Sequence, residues 1–69
     1  MKKITYRHLF TNKDLGWTSG AMLTVPQQGD ELLVHFDNCT QLFTVKMNRF
    51  VLKDDPQNEE IICFVAEKT

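Results

Sequence analysis

The 69 residues leave room for one domain, and a chain of this length buries only about 60% of the surface its unfolded form exposes, so its stability margin is thin. Hydrophobic residues at 42% and charged residues at 25% exclude a disordered chain. Eight Lys and Arg against nine Asp and Glu give a net charge of -1, which excludes a strong overall pull on nucleic acid or anionic membrane and leaves such binding to a local patch.

Residues 2–10 alternate, with Ile4, Tyr6, His8 and Phe10 on one face and Thr5 and Arg7 on the other, the period of a half-buried strand. These same polar residues interrupt the apolar segment a signal peptide would need after Lys2 and Lys3, so the protein is expected to remain in the cytoplasm. TNKDLG at 11–16 collects turn formers. Trp17 to Val25 reads as a second strand, with Trp17, Ala21, Leu23 and Val25 sharing a face and Gly20 weakening the middle. PQQGD at 26–30 is a turn with a mechanism. Pro26 has no amide proton and a fixed φ, Gly29 can take φ above zero, and Asp30 can cap local amides. A third strand follows, with Leu32, Val34 and Phe36 inward and Glu31, His35 and Asp37 outward.

DNCTQ at 37–41 provides a short hairpin connection into the longest strand pattern, QLFTVKMNRFVLKDD. Phe43, Val45 and Met47 share odd parity, whereas Phe50 and Leu52 are even. One extra residue near Asn48 and Arg49, a β-bulge, returns both sets to one core and bends the strand. DDPQNEE at 54–60 is a polar turn. IICFVAE at 61–67 is a last strand, apolar enough on both faces to be central or barrel-closing. Its apolar run is far short of the roughly 20 residues of a membrane helix, so no membrane association is expected. No helical period persists, and residues 1–69 are expected to form one all-β domain: a small five-stranded antiparallel barrel or a strongly bent sheet.

Residues 25–66 carry a resemblance. VPQQGDELLVHF, the hairpin, LFTVKMNRFVL, DDP and EIICFVAE are similar to the small Src-homology-type β-barrels of short bacterial and phage open reading frames, in which Pro-x-x-Gly-Asp opens a strand and a Phe- or Tyr-led strand follows. The resemblance implies a Src-homology-3-like fold and a role as an interaction module rather than an activity. The family's short glycine-containing hairpin is replaced here by DNCTQ.

Catalytic groups are sparse. Ser19 in WTSGAM lacks the context of a strained nucleophile turn and reads as a surface strand serine. His35 and Cys39, in HFDNC, could meet across a hairpin end, but no paired metal-ligand spacing supports a site. His8, among apolar neighbours, reads as a partly buried, hydrogen-bonded histidine. Cys63 sits in an apolar run and packs as a small hydrophobe, and Cys39 and Cys63 are both expected to be reduced. No catalytic residue, metal or cofactor is therefore expected.

Binding residues are more numerous. Asp54, Asp55, Glu59 and Glu60 crowd one turn and form either a solvated loop or an acidic patch for a basic protein surface; they lack the ligand pattern of a calcium loop. Lys46, Arg49 and Lys53 fall on the outward side of the bent strand, either as a soluble strand face or as a nucleic-acid strip. A nucleic-acid strip needs aromatic platforms, for which Trp17 and Tyr6 are the candidates. Trp17 itself reads as a cap on the barrel's open end, with an interface anchor as the alternative. These features, with the small size and the lack of a catalytic constellation, lead to a non-catalytic module that binds a protein partner as an inhibitor or adaptor; a phage or mobile-element origin with a host complex as target is what the resemblance implies. Two alternatives stand beside it: a nucleic-acid-binding barrel, and a self-associating protein, such as a homodimer, whose edge strands pair.

Overall fold

The computed structural model describes residues 2–20, 23–52, 54 and 58–68. They form five strands and, among the described residues, no helix: β1 Lys2–His8, β2 Asp14–Gly20, β3 Glu31–His35, β4 Thr40–Val51 and β5 Glu59–Glu67. One sheet runs in the order β2, β1, β5, β4, β3 and curls strongly into a half-barrel. The expected all-β bent sheet is therefore present, with β5 at its centre.

The expectation of a purely antiparallel sheet is corrected at one joint. β1 and β5 run parallel, with Ile4 opposite Ile61 and His8 opposite Val65, while the other three pairs are antiparallel. The reason is simple counting: strands that reverse direction at every connection leave the first and fifth pointing the same way, so their union must be parallel.

The inner face of the curl holds the core. Ile4, Phe43, Val45, Ile61, Cys63 and Val65 are buried together, with Tyr6, Leu15, Leu32 and Val34 packed around them. Burial of such β-branched and aromatic side chains is the main term holding a small sheet together.

Several strand boundaries differ from the sequence reading. β1 stops at His8, and Phe10 falls in the following turn with 76% of its surface exposed, so it does not share the core face. The turn is tight: Asn12 donates to His8 O at 3.0 Å with a φ of 58°, and His8 donates to Lys13 O at 2.9 Å. β2 consequently begins at Asp14, inside the expected turn, and ends at Gly20 rather than running to Val25. Its register slips by one residue between Tyr6 opposite Gly16 and Arg7 opposite Asp14, which leaves Leu15 as the extra residue of a bulge. Gly16 takes a φ of 147° there, a conformation that side chains other than glycine rarely adopt.

β2 and β3 are the two edges of the sheet, and residues 23–30 of the connection between them lie over the core. Leu23 and Val25 pack down onto the core, and Gly29 donates to Val45 O at 2.9 Å. Ala21 lies outside the described residues. The PQQGD turn forms as expected: Gly29 has a φ of 94°, and the Asp30 carboxylate accepts from Gln27 N at 2.8 Å.

β4 is bulged, as its parity change requires, but at Lys46 rather than at Asn48 and Arg49. The shift of position matters. Met47 moves to the outer face opposite Phe64, while Asn48 turns inward opposite Cys63 and donates to Pro26 O at 2.7 Å. A polar side chain thus takes an inward position because this connection supplies an acceptor. Phe50 remains on the inner face opposite Ile61, but at the end of the curl it is exposed, as is Leu52 beyond the strand.

Candidate functional site

Alternation along each strand and register between strands assign the residues of the outer face. Trp17 lies opposite Thr5, Thr5 opposite Ile62, and Ile62 opposite Arg49, a single row crossing four strands. At roughly 4.8 Å per strand, Trp17 and Arg49 are separated by about 14 Å. The neighbouring row is Arg7, Phe64 and Met47, and on the other side lie Lys3, Glu60 and Val51.

This face is apolar at its middle and basic in its attachments. Trp17 is 62% exposed in the middle of β2, so it does not cap the barrel. The Lys3 ammonium stands 5.2 Å from the centre of its ring. The Arg49 guanidinium lies 4.9 Å from the ring centre of Phe64, which is buried although it points away from the core. Each cation–π contact contributes on the order of 0.5–1 kcal/mol at an exposed position and holds a long side chain flat against the sheet. Arg7 donates to Asp14 Oδ1 at 2.7 Å, and Met47, on the far side of Phe64 in the same row, is half-exposed.

The sequence candidates are distributed unevenly over this surface. Arg49 and Trp17 share one row, whereas Lys46 is the exposed bulge residue and Lys53 lies outside the described residues. Tyr6, the second candidate stacking platform, faces the core, with its hydroxyl 3.5 Å from Thr18 Oγ1. Asp54 is exposed and Asp55 lies outside the described residues. Glu59 and Glu60 open β5 and project to opposite faces, Glu59 3.9 Å from the Lys2 ammonium and Glu60 in the outer row with Lys3. The described carboxylates therefore do not share one loop. Ser19 is exposed opposite Lys3, and His35 and Cys39 flank the β3–β4 turn. Met47, Lys3 and Arg7 were not singled out by sequence. Placing the bulge two residues earlier reveals Met47.

Among the described residues, cavities open at both ends of the curl. One of about 290 Å³ is lined by Lys2, Val25, Phe50, Leu52, Glu59 and Ile61. The other, about 300 Å³, lies beside His8, Lys13, Phe36, Gln41 and Glu67. His8 is buried at its edge with both ring nitrogens engaged. Nδ1 accepts from Phe10 N at 3.2 Å and Thr11 N at 3.3 Å, so Nε2 carries the proton given to the Glu67 carboxylate at 2.7 Å. This is the hydrogen-bonded histidine expected from its apolar neighbours.

The two cysteines are free and differ sharply in environment. Cys63 is fully buried, and burial pushes its thiol up to about 11, while Cys39 is exposed. Native protein is expected to consume one equivalent of a thiol reagent per chain, at Cys39, and a second only after unfolding. Absorbance titration with and without denaturant, followed by peptide mapping, checks this.

Among the described residues, no group of three or more His, Cys, Asp or Glu side chains is arranged to hold a metal ion, and no helix is long and apolar enough to cross a membrane. No protein-family profile, curated protein or solved structure matches the chain.

Proposed function

We propose that the protein is a non-catalytic binding module that engages a protein partner through the outer face of its sheet. The observation that carries this reading is Trp17, exposed in mid-strand and continuous through Thr5 and Ile62 with Arg49. Tryptophan, methionine and arginine are the residue types enriched in protein interfaces, and the tethered Lys3 and Arg49 side chains lose little further freedom on docking. A nucleic-acid strip is less well supported, since Tyr6 faces inward and Arg49 covers the ring of Phe64. The role of inhibitor or adaptor rests on the small size, the lack of a catalytic constellation in the sequence and its segregated charged segments; the host-complex target and the phage or mobile-element origin rest on the resemblance of residues 25–66, and the cytoplasmic setting on the N-terminal pattern.

The test is a pull-down from host lysate with and without nuclease, run beside Trp17→Ala. A stoichiometric protein that survives nuclease and binds the variant about 30-fold more weakly is expected, the loss typical of an interface anchor. Captured material that vanishes with nuclease, or a partner indifferent to Trp17→Ala, overturns the reading.

A further inference from the structure

The two edges of the sheet are unequal. β2 is bulged at Leu15 and carries a glycine with positive φ, devices that twist an edge away from further pairing. β3, Glu31–His35, is a regular ladder without proline, lysine or bulge. Val45 donates to Asp30 O and Phe36 donates to Cys39 O, both at 2.8 Å, at the two ends of the β3–β4 pairing. Since strand groups alternate in direction, even-numbered residues bond to β4, and Glu31, Leu33 and His35 direct their N–H and C=O groups to the free edge. Leu33, at the centre of this edge, is 53% exposed on the outer face.

We propose that β3 is a self-pairing edge, and that its occupant is the β3 strand of a second copy, antiparallel about a two-fold axis at Leu33. The argument is self-complementarity. With Leu33 opposite the partner's Leu33, Glu31 meets the partner's His35 and His35 meets the partner's Glu31, opposite in chemical character on the same face. Each of these pairs exchanges two backbone hydrogen bonds, the edge is satisfied, and the assembly closes as a dimer. Glu31 also accepts from the Lys68 ammonium, an ion pair that orients its carboxylate beside the edge and leaves the second oxygen for the imidazole. The result is a ten-stranded sheet with both outer faces on one side.

Sedimentation velocity over a micromolar-to-millimolar concentration series tests this, with amide exchange at the high end. The expected result is a monomer–dimer equilibrium in which the Glu31, Leu33 and His35 amides become protected as dimer accumulates. Leu33→Lys sets two ammonium groups opposite each other and is expected to raise the dimer Kd at least about tenfold. His35→Glu, opposite Glu31, is expected to act likewise, whereas His35→Lys retains the dimer; the two exposed His35 variants guard against misfolding of Leu33→Lys. A monomer throughout, a dimer whose β3 amides exchange freely, or open-ended oligomers without a dimer would overturn the proposal. Although Leu33 shares the outer face, it lies opposite Leu42, seven residues along β4 from Arg49 and on the edge strand opposite Trp17, outside the row that carries the proposed partner contact, so Leu33→Lys is expected to leave partner capture intact and the two readings fail separately.

Discussion

Ile4→Ala is expected to lower stability by about 2–5 kcal/mol, whereas Phe50→Ala is expected to change it by less than about 1 kcal/mol. Both positions are large, apolar and on the inner face, and they straddle β5, where Ile4 and Phe50 are each opposite Ile61. They differ in what surrounds them: Ile4 is 1% exposed inside the core cluster, and Phe50 is 66% exposed at the rim of the curl. A domain of this length has about 3–10 kcal/mol of total stability, so the Ile4 substitution removes a large part of it and Phe50 very little. Urea unfolding by circular dichroism measures both. Equal shifts in midpoint would mean that the rim is packed as tightly as the centre.

His8→Ala is expected to cost about 2–3 kcal/mol, more than its modest apolar area suggests. The imidazole joins three parts of the chain: it holds the turn after β1 through Phe10 N and Thr11 N, reaches β5 through Glu67, and packs edge-on against Phe43 in β4, with ring centres 6.3 Å apart. Removing it leaves the turn amides without their acceptor. The same contact sets an acid dependence. The hydrogen bond from His8, followed by that from its own backbone amide, holds the Glu67 carboxyl below its ordinary value of 4.5. A carboxylate whose folded value is depressed contributes stability that is fully present above the unfolded value and is lost as pH falls through the folded one. Stability is therefore expected to decline below about pH 4.5, and Glu67→Gln should flatten that limb while leaving the neutral-pH fold intact. Thermal melts of both proteins between pH 3 and 7 check the sign.

The sequence made the local features legible and obscured the non-local ones. The turn at 26–30 could be read because Pro26, Gly29 and Asp30 act on their own backbone. The central place of β5 followed from apolar residues at consecutive positions, which only a strand covered on both sides can bury. The bulge in β4 was detectable from parity, but its position was not, because assigning inward positions to apolar residues overlooked Asn48 and the distant carbonyl of Pro26. Trp17 was misplaced for a similar reason. Its setting depends on the bulge at Leu15 and the early end of β1, neither of which has an apolar signature. The outer face combines residues from β2, β1, β5 and β4, and that juxtaposition exists only once the register is known.

The parallel joint between β1 and β5 also governs how the molecule comes into being. Until Glu59–Glu67 arrives, the chain can form only two separate hairpins, β1 with β2 and β3 with β4, and an isolated two-stranded hairpin is marginal in water. Of these five strands, the last to be made is the one that lies between the two hairpins. Its pairing with β1 closes a loop of nearly the whole chain, Ile4 to Ile61, the kind of distant pairing that slows folding. Assembly of the sheet is thus all-or-none and waits for β5, and until then both halves carry uncovered strand edges on which chaperones or a neighbouring nascent chain can act.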